Sequence, residues 1–319
     1  MDYLAADDCH VCWLPKVTEK CHAPVECFSS CDQLLDSIVL KTFTWFSSVG
    51  CAVGNTIVII YRSFFSQEVM DKNIIVINLA VSDLLMSLYL FGIAVGDIVY
   101  WGNYAFQSDQ WTQSVICQNM AFIASLSSEM SLAILVFLSY FYLFRIAYHK
   151  GKYIFNTYTI PPICLCLWVV IGLICAVPLI GGKQNLSGSC LFFHFGSTNS
   201  ENIYYNIIVY IFLNTILVMM SWISCQIVIR VLYMSAKRVE KQGHISGNRK
   251  SGTAYRNLVI MTVSNLLCWI PMEALLIASI SGLAIHPVVT KWFSVVIMPL
   301  NSLTNPYLYT LWMSRASKK

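Results

Sequence analysis

The chain has 319 residues, of which 57% are hydrophobic and only 11% charged. A soluble domain carries about 25% charged residues, so this composition excludes an ordinary soluble domain. A net charge of +4 is too small to point to nucleic acid. The sequence holds no Walker loop, no His-Glu-x-x-His and no Gly-x-Ser-x-Gly pattern, so no enzyme is indicated.

The first 36 residues crowd together Cys9, Cys12, Cys21, Cys27 and Cys31. If this leader lies outside the cell, disulfides are the default, and zinc is the rival at Cys9-His10-Val11-Cys12. The count is odd, so one thiol is free or pairs elsewhere. The leader is too short to bury a core of its own and reads as a hinge or a small lid. Met1-Asp2-Tyr3-Leu4 does not start a signal peptide, because no basic start leads into an apolar stretch. Either the first apolar segment serves as the signal anchor or the chain is a piece of a longer protein.

Seven apolar segments follow, near 38–61, 73–96, 117–144, 158–181, 203–232, 257–282 and 289–312. Each is long and apolar enough to cross a bilayer, which takes roughly 20 residues. Backbone polar groups must be satisfied internally in lipid, and the runs are too long for barrel strands, so they are expected to be helices. The fold class is therefore an all-α membrane protein, a bundle of seven transmembrane helices. Its domains are the leader 1–36, the bundle 37–312 and a tail 313–319. Most of the 20 basic residues fall on one face, including Arg62, Lys72, Arg145, Arg230, Lys237, Arg238, Lys241 and Arg249. Lys16, Lys20, Lys41, Lys183 and Lys291 fall on the other. The positive-inside rule then puts the N-terminus outside and the C-terminus in the cytosol. The expected location is the plasma membrane, with lipid as a partner and several crossings.

Polar residues inside these segments are the functional candidates. Asp83 in the second segment costs roughly 2.5–3.5 kcal/mol at the bilayer centre, so partners must offset it. Ser131 in the third segment and Asn301, Ser302 and Asn305 in the seventh are candidates. Asn301 and Asn305 lie four apart on one helical face, and Ser302 and Asn305 lie three apart. Such a carboxylate with hydroxyl and amide oxygens suits a bound sodium ion or an ordered water cluster. A protonated Asp83 in a hydrogen-bond network with no ion is the alternative. Pro306, lacking an amide hydrogen, is expected to kink the seventh segment. Glu129 and Glu273 are further buried acids. Glu273 lies four after Trp269 and above Pro271, where Lys291 is a candidate partner. Both are ligand-mouth candidates, with an internal ion pair as the plain alternative. Cys117 and Cys190 fall on the outer face, either bridged or as two free thiols. Asn185-Leu186-Ser187 is a glycosylation acceptor pattern. No helix carries a repeated Arg stripe, and no paired broken half-helices mark a transporter.

These motifs resemble the rhodopsin-like G-protein-coupled receptors across about residues 35–312. Gly54-Asn55, Leu79-Ala80-Val81-Ser82-Asp83, Trp168, Pro178, Cys268-Trp269-Ile270-Pro271 and Asn305-Pro306-Tyr307-Leu308-Tyr309 occur in order. Ser30-Cys31-Asp32-Gln33-Leu34-Leu35 and Ser127-Ser128-Glu129-Met130-Ser131 are similar to the leucine-rich-repeat branch that includes the relaxin receptors. The resemblance implies a Cys117–Cys190 bridge, a switch built on Trp269, Pro271, Asn305, Pro306 and Tyr309, and a heterotrimeric G protein as partner. It also implies a peptide or protein hormone ligand, without the repeat ectodomain that would capture it. The acid–cation–aromatic triplet that usually ends the third helix is replaced by Phe141-Tyr142-Leu143, and Cys225 stands for the usual tyrosine in the fifth. The G-protein side is then assigned to Tyr142, Arg145, Lys237, Arg238 and Lys241. Arg145 lies one turn beyond Tyr142, about 4.5 Å nearer the cytosol, either as a substitute cation or as a simple anchor. The expected function is hormone-to-G-protein transduction. A non-signalling receptor acting as decoy, scaffold or dimer partner is the alternative.

Overall fold

The computed structural model describes residues 4–5, 21–22, 33–66, 70–147, 154–180, 186–192, 203–241, 249–283, 285 and 287–308. Two two-residue strands, β1 (Leu4–Ala5) and β2 (Cys21–His22), pair in parallel. Everything else that is regular is helical. In chain order the helices are α1 (Ile38–Ile60), α2 (Met70–Val99), α3 (Tyr104–Thr112), α4 (Val115–Ala147), α5 (Ile160–Ile180), α6 (Asn214–Lys241), α7 (Arg249–Ile280), α8 (Pro287–Trp292) and α9 (Leu300–Pro306). Wider π turns extend α1 over Tyr61–Phe65, run from a short helical turn at Ile203–Tyr205 into α6 over Asn206–Leu213, and follow α8 over Phe293–Ile297.

Six helices among the described residues are long and apolar enough to cross a membrane. They match the first six expected segments. The last expected segment, 289–312, is helical as far as it is described but is built in pieces. It breaks at the Met298–Pro299 turn, where Pro299 caps α9. The break thus lies at Pro299, while Pro306 ends α9 and a π turn continues to Leu308. Both prolines lack the amide hydrogen that would continue the ladder.

α1 starts where Ser37 Oγ accepts the Leu40 N–H at 3.2 Å, a helix N-cap. Its outward face exposes Phe46, Val49, Val53 and Ile57, as a lipid-facing stripe should. α4 is the central helix. It packs against α2, α5, α6 and α7, and it carries buried serines along its length at 125, 127, 128, 131 and 139. Small polar residues let helices approach closely and bond across the interface. Ser127 Oγ donates to the Ser82 carbonyl at 2.7 Å, and Ser224 Oγ on α6 donates to Ser139 Oγ at 2.7 Å. α1 meets α9 through glycine: a Cβ added at Gly54 would stand 3.0 Å from Pro306 Cγ.

Candidate functional site

At mid-depth, α2, α4 and α9 converge on Asp83, which is fully buried. Ser302 Oγ donates to its Oδ1 at 2.8 Å and Ser131 Oγ to the same oxygen at 3.3 Å. Asn305 Nδ2 donates to Oδ2 at 2.8 Å. Three of the four partners anticipated from the sequence therefore touch the carboxylate. The fourth, Asn301, turns the other way, and its Nδ2 donates to Asn265 Oδ1 on α7 at 2.9 Å. Asn265 carries no motif and was missed by sequence reasoning; its polarity inside an apolar helix was the available signal. Asn55 extends the network to α1, with Nδ2 donating to the Ser302 carbonyl at 3.1 Å. One α9 turn thus bonds to α1, α2 and α7 together.

A cavity of about 20 Å³ opens beside this cluster, lined among others by Ser128, Ser131, Asn265, Trp269, Asn301 and Ser302. That is room for one or two water-sized occupants. The buried Oδ1 of Asn301 has no hydrogen-bond partner among the described residues, so the cluster carries an acceptor to spare. Trp269 forms part of the cavity wall, and Pro271 lies inside α7 two residues on. Tyr309 of the expected switch lies outside the described residues.

A second polar set joins α4 to the entrance of α6. Glu129 Oε1 accepts from Asn214 Nδ2 at 3.1 Å, and Ser125 Oγ and Tyr210 Oη lie 2.6 Å apart. Asn214 follows directly on the Asn206–Leu213 π stretch. Such stretches recur at functional positions.

At the Cys117 end, Cys117 and Cys190 form the disulfide that the resemblance implied. The 186–192 loop is also seated by its own backbone. Tyr89 Oη donates to the Ser189 carbonyl at 2.8 Å and Trp111 Nε1 to the Gly188 carbonyl at 3.0 Å. Leu34 and Leu35, just before α1, are buried in the same cluster as Tyr104, Trp111, Leu191 and Phe192. Asp97 Oδ1 accepts the Leu35 N–H at 2.8 Å, and its Oδ2 lies 3.2 Å from Lys41 Nζ, which sits 3.7 Å above the Trp101 ring. Burial, with the charges of Asp36 and Asp109 nearby, pushes the Tyr104 phenol above its usual range. The expected Lys291–Glu273 pairing is corrected: Lys291 Nζ bonds Asp36 Oδ1 at 2.5 Å, while Glu273 lies beside Thr215 of α6. The pre-α1 segment reaches the top of α8 before α7 does. Asn185 and the cysteines Cys9, Cys12, Cys27 and Cys31 lie outside the described residues.

At the Arg145 end, Tyr142 is half-buried and Lys72 Nζ stands 5.9 Å from its ring centroid. Phe141 is buried among aromatic rings. Arg145 forms an ion pair with Asp71 in the first turn of α2. Lys237 is exposed on α6, and the side chains of Arg238 and Lys241 lie outside the described set. Trp168 Nε1 donates to Asn78 Oδ1 at 2.9 Å, fixing α5 on α2.

Comparison with known proteins agrees with this arrangement. The family model described as 7 transmembrane receptor (rhodopsin family) matches residues 54–309. The chain is 28% identical over 313 residues to "G-protein coupled receptor GRL101" of Lymnaea stagnalis, covering 97% of this chain and 28% of that protein. It is 28% identical over 310 residues to "Relaxin receptor 1" of Mus musculus, covering 91% and 39%. It is 27% identical over 289 residues to "Relaxin receptor 2" of Homo sapiens, covering 89% and 38%. The chain thus spans well under half the length of these curated relatives.

Proposed function

Because the chain belongs to the rhodopsin family of seven-transmembrane receptors, we propose that it passes an extracellular peptide or protein hormone signal to a heterotrimeric G protein by rearranging its helices. It is a multi-pass plasma-membrane receptor. In this reading segment 287–308 is the seventh span, the Cys117 end faces outward, and the basic Arg145 end faces the cytosol.

The observation that carries the reading is the convergence on Asp83. Ser131 of α4 and Ser302 and Asn305 of α9 share one buried carboxylate. A change in the tilt of α9 must therefore break or exchange bonds that also hold α2 and α4. A two-state bundle needs such a set of alternative bonds, which a ligand at the mouth can bias through differential contacts. Asn265 and Trp269 place α7 against the same cavity, with Pro271 two residues on in α7, so a shift of α7 and a repacking of α9 are coupled through one small space.

The donor set also fits a sodium ion. Asp83 supplies charge, Ser131 and Ser302 supply hydroxyl oxygens, Asn301 has an unused carbonyl oxygen, and Asn305 lies beside them. Bound there, the ion would neutralise the carboxylate and favour one packing of α2, α4 and α9. The hydroxyls of Ser131 and Ser302 hold Asp83 in either case.

A second reading, a non-signalling receptor, is favoured by one observation: Phe141 and Tyr142 put aromatic rings where the family carries an acid and a cation. Guanine-nucleotide exchange on membranes bearing the full chain separates the two readings. Exchange above that of mock membranes, altered by Asp83→Asn, supports transduction. Exchange at the mock level both in the wild type and in the Phe141→Asp/Tyr142→Arg variant would favour the second reading.

A further inference from the structure

The cation missing from the expected position is not absent from this end of the bundle; it is held one turn further on. Arg145 pairs with the Oδ2 of Asp71, and its Nη2 also donates to the Phe155 carbonyl at 3.4 Å. Its guanidinium lies 5.0 Å from the centroid of Phe141, the residue standing in the acid's place. The other oxygen of Asp71, Oδ1, accepts the Thr157 hydroxyl at 2.7 Å. One carboxylate therefore grips two elements, α4 through Oδ2 and the connection before α5 through Oδ1.

The connection is clamped on its apolar side as well. The Phe155 ring packs 5.6 Å from Phe137, 6.2 Å from Phe141 and 5.5 Å from Phe144. Asp71 is 7% exposed and sits in the first turn of α2, where the helix dipole favours a carboxylate. A planar guanidinium that donates through a fixed fork suits acceptor oxygens wherever they are offered. Here they are offered internally.

We propose that Arg145, Asp71 and Thr157 form a latch that withholds this cation. Latched, the 154–159 connection is fixed against α2 and α4, and Arg145 is spent on Asp71. Released, Arg145 and the connection become available together to a partner presenting carboxylate or carbonyl oxygens. The existence of the latch rests on geometry alone. Its effect on signalling rests on the receptor reading of the preceding section.

A staple that merely supports the fold and a latch that withholds a cation make different demands. If the pair only supports, loss of either residue weakens the receptor in the same direction. If it withholds Arg145, loss of Asp71 frees the cation and loss of Arg145 removes it, so their effects on the partner are opposite in sign.

The test uses the full chain in lipid nanodiscs with a nitroxide on Tyr158→Cys, an exposed position on the connection. Protein lacking the added cysteine supplies the background from exposed Cys166. An immobilised spectrum is expected for the parent, with mobile spectra for Asp71→Asn, Arg145→Ala and Thr157→Val. In parallel, guanine-nucleotide exchange should rise several-fold above the parent in Asp71→Asn and fall to the mock level in Arg145→Ala. Unchanged spectra in all three single variants overturn the latch. Exchange that moves the same way in both Asp71→Asn and Arg145→Ala overturns the withholding. If exchange is at the mock level throughout while the spectra respond as expected, the latch stands and the transduction reading fails.

Discussion

The carboxylate of Asp36 accepts a hydrogen bond from the ammonium of Lys291 at 2.5 Å, joining positions 255 apart in the chain. Lys291 is 3% exposed, and Asp36 is its ion-pair partner. Leaving a buried charge uncompensated costs about 3–5 kcal/mol. Asp36→Asn is expected to lower the unfolding temperature of the detergent-purified receptor by several degrees. The double change Asp36→Leu/Lys291→Met should recover most of the loss, because neither charge is then buried alone. A double variant no more stable than Asp36→Asn would show that the pair is not what holds this segment.

The Asp83 cluster predicts a sodium response. A ligand at about ten times its Kd stabilises a folded protein by about 1.4 kcal/mol. Unfolding temperature measured in sodium chloride should exceed that in choline chloride of equal strength for the parent, and the difference should vanish in Asp83→Asn. An equal response in both proteins would assign the effect to general screening.

Ser302→Ala removes one of two donors to the Asp83 Oδ1 without changing charge. Hydrogen bonds to charged groups contribute about 1.5–3 kcal/mol, so a loss of stability in that range is expected. Ser131→Ala, at the longer 3.3 Å contact, should cost less. Thermal denaturation of both variants side by side gives the order, and the reverse order would contradict the geometry.

Gly54→Val should separate α1 from α9. The new side chain would begin 3.0 Å from Pro306 Cγ, and overpacking of this kind costs about 1–3 kcal/mol. The Asn55 bond to the Ser302 carbonyl lies one residue away, so the damage reaches the Asp83 network. Lower surface expression is expected, with a further loss of exchange per receptor. Gly172, which has open space around it, is the matched control, and Gly172→Val should be expressed normally.

Much of this architecture was legible in the sequence because lipid makes polarity conspicuous. Asp83, Ser131, Ser302 and Asn305 stand out within apolar runs, and helical spacing puts the last two on one face. Cys117 and Cys190 were readable for the same reason, as cysteines placed at one rim. What the sequence did not show depends on how helices rotate and where chains return. Asn301 shares a face with Asn305, yet its amide turns to Asn265. Choosing between them needs the orientation of α7, which no spacing rule supplies. The sequence pointed Lys291 to Glu273, and only the path of residues 33–37 brings Asp36 to it instead. Asp71 reads as an ordinary helix-start acid until the fold brings Arg145 to it. The π stretches Tyr61–Phe65, Asn206–Leu213 and Phe293–Ile297 contain no proline, so nothing in local composition announces them. The break at Pro299 was overlooked because Pro306 carried the more familiar motif.

The 186–192 loop is held at Gly188 and Ser189 by their peptide carbonyls, which accept from Trp111 and Tyr89. A carbonyl is the same whatever side chain follows it. That seat does not depend on the side chains, but the loop is also buried at Leu186, Ser189, Cys190, Leu191 and Phe192, so its packing is fixed as well. Gly188 is constrained too, since a Cβ there would meet the Tyr104 hydroxyl at 2.6 Å. The disulfide, the two carbonyls and the buried side chains make this short segment part of the core, so it cannot be rewritten without rebuilding the Cys117 end of the bundle.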